Sequence, residues 1–298
     1  MSEDAVKVTE SIKTVAHVSE FKRFRRVFFG RGLVVFGLIA IVVFILIAIF
    51  AEFIAPYDPN EIQAAQTLQP PSSSHLLGTD TLGRDTLSRL IFGSRISLLV
   101  GVVSLSLAGI IGTLIGLASA YFGGWIQTIL MRFVDALMSF PMILLALVIA
   151  ALMGGGLVNV MIALGIAFMP GYARLMQGQV LAVKENDYIM AGKSLGAGHL
   201  RIMLRHILPN CFPQLVVFFT MSLGMTILTE ASLSFLDVGI KAPTAAWGSM
   251  VNDGVRYLLT NPVLTFAPGI AIMIVVFSFN MVGDGLRDAL DPRLRGTF

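Results

Sequence analysis

Charged side chains are scarce in this sequence of 298 residues. Asp, Glu, Lys and Arg make up 13% of the chain, whereas a soluble domain contains about 25%. Hydrophobic residues make up 56%, and the mean hydropathy is +0.83. A chain of this composition has too little polar surface to cover its apolar residues in water. The scarcity of charge therefore excludes a soluble globular protein and predicts that lipid surrounds most of the chain.

Cysteine and clustered histidine are also lacking. The single cysteine, Cys211, excludes an internal disulfide and a cysteine-based metal cluster. The four histidines, at positions 17, 75, 199 and 206, show no metal-ligand spacing. Basic residues are dispersed between apolar runs and form no stripe for nucleic acid. We therefore expect no catalytic residue, no metal and no cofactor bound by this chain.

Long uncharged runs predict six membrane spans. The first run, Leu33 to Phe53, has 21 residues, which is enough to cross a hydrocarbon core of about 30 Å. A cleaved signal peptide is the alternative, but its apolar core would have about 7–15 residues behind a short basic head. Further spans are predicted at 97–122, 133–153, 157–173, 213–235 and 263–283. Pro141, Pro170 and Pro268 are expected to kink three of these spans.

The distribution of basic residues predicts the orientation of the spans. Sixteen of the 21 Lys and Arg residues lie in the two tails, before the third span or in the 174–210 loop, and five lie on the opposite side. The positive-inside rule therefore places both termini and the 174–210 loop in the cytoplasm. The predicted order is a cytoplasmic tail (1–32), a first span (33–53), an external loop with a short interfacial helix (54–96), a five-helix core (97–285) and a cytoplasmic tail (286–298).

The segment from Asn186 to Asn210, here called the 186–210 loop, has a distinct pattern. Apolar residues recur at helical spacing on both sides of Gly196-Ala197-Gly198, which predicts two short amphipathic helices joined by a turn. This helix-turn-helix suits docking to a cytoplasmic partner, and it equally suits a basic helix resting on lipid headgroups. Gly192-Lys193-Ser194 copies the end of a phosphate-binding loop, but Asp187 occupies the position of the required first glycine. The loop therefore predicts no ATP site.

The 186–210 loop resembles the EAA loop of ABC importer permeases, whose short helix fits a cleft on a cytoplasmic ATPase subunit. Ala191, Gly196 and Leu208-Pro209 stand at the spacing of that motif. Met190 replaces its glutamate, Gly192 its second alanine and His206 its isoleucine. The resemblance assigns ATPase coupling to Tyr188, Met190, Ala191, Gly192, Leu195, Gly196, His206, Leu208 and Pro209.

Four further segments are similar to the C-type permeases of dipeptide and oligopeptide importers. They read GTDTLGRDTLSR followed by GSRISL (78–98), EASLSFL (230–236), WGSM (247–250) and GDGLRDALDPR (283–293), and they occur in family order. The resemblance implies an all-α protein of six transmembrane helices with the type I ABC importer permease fold, in a bacterial or archaeal plasma membrane. It also implies a homologous second permease, two ATPase subunits that use ATP and Mg, an external binding protein and a peptide substrate.

Other functions stay open at this point. A nickel or other metal chelate, or another small solute, is the alternative cargo, because related permeases carry such substrates. A secondary transporter would need paired ionisable residues deep in several spans and an internal repeat. A membrane-bound enzyme would need a nucleophile, metal or acid–base cluster at one membrane depth. The sequence shows none of these features apart from one intramembrane carboxylate, Glu230.

Charged residues near the predicted external side are candidates for contact with the pathway or with a delivering protein. Thr79 or Asp80 is expected to cap a short interfacial helix, and Asp85 to pair with Arg89 four residues later. Glu230 needs a partner, for which the candidates are the peptide's amino terminus, an arginine of the sister permease and interfacial water. Asp237 stands where the family usually has glycine. The complete candidate set is Asp80, Arg84, Asp85, Arg89, Glu230, Asp237 and Trp247.

Overall fold

The computed structural model describes residues 20–290, and within that range the chain contains helices and no strand. The helices are α1 (Glu20–Phe29), α2 (Gly32–Ile49), α3 (Ala51–Ile54), α4 (Thr86–Phe122), α5 (Gly124–Met138), α6 (Met142–Leu152), α7 (Leu157–Lys184), α8 (Asp187–Ser194), α9 (His199–Arg201), α10 (Leu208–Phe235), α11 (Trp247–Val255) and α12 (Val263–Leu290). A π turn (Ile202–Ile207) joins α9 to α10, and a 3-10 turn (Ala64–Gln66) lies between α3 and α4. The all-α prediction is confirmed.

Five helical segments in this part of the chain are long and apolar enough to cross a membrane. They are α2, α4, α7, α12 and the continuous segment His199–Phe235 that includes α9 and α10. The helices α5 and α6 form a sixth crossing only as a pair, bent by 89°. The predicted polytopic bundle is therefore confirmed, with five unbroken spans and a sixth if the bent pair α5–α6 is one span.

The third span differs from the prediction of one helix over 133–153. The chain leaves the helix after Met138 and re-enters it at Met142, with Pro141 as the N-cap of α6. Proline lacks a backbone N–H and disfavours helical geometry at the residue before it, so the helix breaks here instead of bending slightly. Pro170 and Pro268, in contrast, lie inside the continuous helices α7 and α12.

The helices α4 and α7 run parallel and in close contact. Small residues recur every four positions on α4, at Ala108, Gly112, Gly116 and Ala120. A Cβ added at Gly112 would lie 2.6 Å from the carbonyl oxygen of Met169, so only glycine permits this approach. The close approach makes α4 and α7 a rigid pair.

The bundle has two ends that carry different features. Residues 55–85, here called the first loop, lie with α11 at the N-terminal end of α4. The 186–210 loop lies at the opposite end, where α4 and α7 finish. Asp135 of α5 pairs with Arg174 of α7. The pair ties α5 to α7 because the two helices face each other at this level.

Candidate functional site

The 186–210 loop forms the predicted helix-turn-helix. The turn between α8 and α9 depends on Gly196, which has a φ of +79°, a conformation that costs glycine little and other residues more. The backbone N–H of Ala197 donates to the carbonyl of Gly192 over 3.0 Å, so the turn closes the end of α8. The prediction that the second helix is short and separate is wrong, because α9 continues through the π turn into α10. Pro209 lies in the first turn of α10, where its missing N–H is tolerated.

One side of the 186–210 loop is buried against the ends of the long helices. Ile189, Ile202, Met203 and Ile207 are buried in a cluster with Leu117 and Ala120 of α4, Met176 and Val180 of α7, and Cys211 of α10. Burial of these side chains fixes the loop on the bundle. The loop is therefore a packed structural unit rather than a flexible connection.

The other side of the loop exposes large apolar residues, here called the exposed apolar face. Leu195 is 88% exposed and Leu200 is 71% exposed, and Tyr188, Met190 and Leu204 are about half exposed. Gly192 has open space where a Cβ would be, and Ala191 is also exposed. Apolar residues exposed at this end of the bundle are candidates for contact with a partner protein or with lipid headgroups. Of the remaining predicted coupling residues, Pro209 is exposed, and His206 and Leu208 are half-buried at its edge.

At the other end of the bundle, charged residues form a buried ionic cluster. Arg84 Nε donates to Asp80 Oδ2 over 2.7 Å, and Arg89 Nε lies 3.5 Å from the same oxygen. Arg89 also donates to the carbonyl of Pro59 over 3.0 Å. The predicted pair of Asp85 with Arg89 is wrong, because the first loop folds back and brings Asp80 to Arg89. The cluster anchors the first loop to α4.

Asp85 caps α4, and this corrects the expected cap at Thr79 or Asp80. Its carboxylate accepts from the backbone N–H and the hydroxyl of Ser88, both over 2.7 Å, and its other oxygen lies 2.9 Å from His75 Nδ1. Asp80 is unavailable as a cap because it accepts from backbone N–H groups within its own loop. The helix that starts here runs unbroken through the span, so no separate interfacial helix exists in this segment.

Asp253 of α11 completes the ionic cluster and was missed by sequence reasoning. It lines a cavity of about 20 Å³ together with Asp80, Thr86 and Arg89, which is room for about one water molecule. Burial raises the pKa of the Asp253 carboxyl, although Arg84 and Arg89 act in the opposite direction. Because more than 160 positions separate Asp253 from Arg89, no local sequence signal could have found it.

Glu230 of α10 is completely buried, and the chain supplies its partner. One carboxyl oxygen accepts from the Ser234 hydroxyl over 2.7 Å, and the backbone N–H of Ile240 donates to that hydroxyl over 3.0 Å. Within the described chain the partner is thus a hydroxyl one helical turn away. Within residues 20–290 the second carboxyl oxygen has no hydrogen-bond partner. Sequence reasoning considered only cations and water and therefore missed Ser234.

Asp237 and Trp247 both serve the fold: Asp237 ends a helix, and Trp247 packs one helix on another. Asp237 is exposed just after α10 with a φ of +61°, and the N–H of Val238 donates to the carbonyl of Leu233 over 3.1 Å. This left-handed helix end favours glycine. Trp247 is buried and donates from Nε1 to the carbonyl of Leu90 over 2.9 Å, so it packs α11 on α4.

Two regions of the chain match known protein families. Residues 112–296 match the family described as binding-protein-dependent transport system inner membrane component. Residues 19–71 match the N-terminal TM domain of oligopeptide transport permease C. The first match covers more than half of the chain and includes the whole 186–210 loop.

Curated relatives match almost the full length. The glutathione transport system permease protein GsiD of Pectobacterium atrosepticum is 42% identical over 276 residues, which is 92% of each chain. The proteins of the same name from Escherichia coli O157:H7 and Shigella sonnei are 42% identical over 289 residues, which is 96% of this chain and 93% of theirs.

Solved structures share the fold. Two crystal forms of the MetNI methionine ABC transporter, in inward-facing conformations, have a TM-score of 0.56 and identities of 20% and 21%. The alignments cover 68% and 69% of this chain and 97% and 98% of the transporter chain. The chain therefore belongs to the inner membrane components of binding-protein-dependent transport systems and is a multi-pass ABC importer permease of the dipeptide and oligopeptide family.

Proposed function

We propose that this permease forms half of the translocation pathway of an ATP-driven importer of short peptides. A homologous permease supplies the other half, two ATPase subunits bind on the cytoplasmic side, and an external binding protein delivers the peptide. The observation that carries this proposal is the exposed apolar face of the 186–210 loop, which is packed rigidly on α4 and α7 and which no residue of the described chain covers.

The energy source follows from what the loop does and does not contain. Gly192-Lys193-Ser194 forms the end of the helix α8. It lacks the preceding strand and the first glycine that a phosphate-binding loop needs. This absence supports our proposal that the partner subunits, and not this chain, use ATP and Mg. ATP draws the two ATPases together, and the 186–210 loops transmit this movement to the spans. The coupling is a population shift between two states, of which one binds nucleotide more tightly.

The cargo proposal rests on the relatives and on chemistry. Glutathione, named in the relatives, is a tripeptide, so it falls within the class of short peptides. Metal chelates remain the competing cargo. Both termini are proposed to lie in the cytoplasm, because the 186–210 loop must face the ATPases and the basic residues favour that side.

Uptake by a reconstituted complex tests the proposal. The permease is co-purified with its second permease and ATPases, inserted into vesicles with binding protein, and given labelled dipeptide, oligopeptide, glutathione or a nickel chelate. We expect ATP-dependent accumulation of peptides and little of the nickel chelate. Selective uptake of the nickel chelate would overturn the proposal that the cargo is a peptide. Accumulation without ATPase subunits would overturn the proposal that this permease belongs to an ATP-driven importer.

A matched pair of variants tests the exposed apolar face. Leu195→Asp places a charge on that face, whereas Leu259→Asp places one on a fully exposed residue at the first-loop end. We expect Leu195→Asp to abolish co-purification of the ATPases and Leu259→Asp to leave it unchanged. Retention of the ATPases by Leu195→Asp would favour the alternative that this face rests on lipid headgroups.

A further inference from the structure

The C-terminal end of α4 contacts the 186–210 loop through side chains outside the exposed apolar face. The Tyr121 hydroxyl lies 2.9 Å from His199 Nδ1, and the two rings meet edge to face with centroids 5.6 Å apart. The Lys193 ammonium lies 5.6 Å from the centroid of the Tyr121 ring. Lys193 and His199 stand on either side of the turn at Gly196, so one aromatic residue of α4 contacts both helices of the loop.

Two further contacts hold this end of the bundle together, one between α7 and α4 and one between the loop and α4. Lys184, the last residue of α7, donates to the carbonyl of Ala120 over 3.1 Å, one of the terminal carbonyls that have no partner within a helix. Leu117 and Ala120 also share a buried cluster with Ile189 of the loop. The loop is thus fastened to α4 by polar, aromatic and apolar contacts, although α4 is more than 60 residues away in the sequence.

The helix α4 links this fastening to the opposite end of the bundle. It has 37 residues and no proline, which gives a length of about 55 Å. Its first turn carries Arg89 of the ionic cluster, and the carbonyl of Leu90 accepts from Trp247 of α11. The close packing of Gly112 and Gly116 on α7 opposes bending along its length.

We propose that Tyr121 and His199 are positioning residues that fasten the 186–210 loop to α4, so that α4 acts as a strut from the ATPase side to the first loop. This inference rests on the proposed function. Without the fastening, movement of the loop would reach α4 only through the apolar cluster around Leu117 and Ala120, and would otherwise pass to α7 and α10, its neighbours in the chain. With it, the same movement shifts the ionic cluster and the first loop, where the binding protein delivers its peptide.

Three variants separate the hydrogen bond from the ring contacts. Tyr121→Phe removes the hydroxyl and keeps the ring, His199→Leu removes the whole imidazole ring and therefore both contacts, and His199→Asn keeps a polar group near the position of Nδ1. The measurement is peptide taken up per ATP hydrolysed by the reconstituted complex. We expect Tyr121→Phe and His199→Leu each to lower this ratio about three- to tenfold, which corresponds to loss of one hydrogen bond. The double variant Tyr121→Phe/His199→Leu should lower the ratio no further than the single variant with the larger effect. His199→Asn should lower the ratio less than His199→Leu does.

The controls distinguish this inference from the proposed function. Tyr257→Phe makes the same chemical change at the first-loop end and should leave the ratio unchanged. If the wild-type complex shows no ATP-driven uptake, the proposed function fails. If the wild type couples normally and both single variants match it, the strut inference alone is overturned. Variants that only lower the amount of assembled complex, with an unchanged ratio, would also overturn the positioning role.

Discussion

At the scale of single residues, Asp237 holds a backbone conformation that favours glycine. Its φ is +61° at the end of α10, where a side chain costs free energy and aspartate is tolerated better than most residues. We expect Asp237→Gly to increase the free energy of unfolding by about 0.5–1 kcal/mol, and Asp237→Ala to lower it. Thermal unfolding in detergent measures both. A decrease with Asp237→Gly would show that the exposed carboxylate contributes more than the backbone strain costs.

Asp253 gives the ionic cluster a dependence on pH. Its pKa is raised in the folded protein, chiefly by burial, so the charged form is less favourable there than in the unfolded chain. The resulting cost is absent below the unfolded pKa of about 3.9 and grows as the pH rises above it. Asp253→Asn removes this cost. We expect its thermal midpoint to equal that of the wild type near the unfolded pKa and to exceed it at neutral pH.

A contrary result at Asp253 would also be informative. If Asp253→Asn is less stable than the wild type at neutral pH, attraction to Arg84 and Arg89 outweighs the cost of burial. The matched variant Asp237→Asn changes an exposed carboxylate in the same way. It serves as the control for the loss of one carboxylate.

At the scale of helices and loops, Glu230 and Ser234 fasten the end of α10 to the segment that follows. Ser234→Ala leaves the Ile240 N–H and the Glu230 carboxyl without this partner, and we expect a loss of about 1–3 kcal/mol in stability. Glu230→Gln keeps an acceptor oxygen, so peptide uptake should stay near that of the wild type. Loss of uptake with normal amounts of Glu230→Gln complex would show that the carboxyl group itself is needed for transport.

Strong local patterns made most helices predictable. The uncharged runs identified the spans, and the turn at Gly196 was evident because glycine separates two amphipathic stretches. The sharp angle between α5 and α6 at Pro141 was not predictable. The flanking residues are uniformly apolar, and a proline is compatible with either a mild kink or a full break of the helix. The length of α4 was also missed, because a charged first turn resembles a separate interfacial helix.

The ionic cluster shows why the candidate site was only partly predictable. Asp80, Arg84 and Arg89 were identified as a charged group, but their pairing depends on how the first loop folds back, and Asp253 joins them from a distant helix. The contact of Tyr121 with His199 is equally non-local. Sequence periodicity describes faces of single helices, so it carries no information on which side chains meet between them.

At the scale of the whole molecule, the bundle has one end that exposes apolar residues and another that is fastened by charge. The exposed apolar face lies at the first, the ionic cluster lies at the second, and α4 reaches from one to the other. A permease that couples ATP hydrolysis to transport needs such a connection, because nucleotide binding must alter the opposite face of the membrane.

Photo-crosslinking from position 195 tests the central claim, that ATPase subunits bind the exposed apolar face. A photoreactive phenylalanine analogue replaces Leu195 in one sample and Leu259 in the other, both fully accessible positions at opposite ends of the bundle. In membranes containing the whole transporter, position 195 should crosslink to an ATPase subunit, and position 259 should not. Crosslinking of position 195 only to lipid, or of position 259 to an ATPase, would contradict the account.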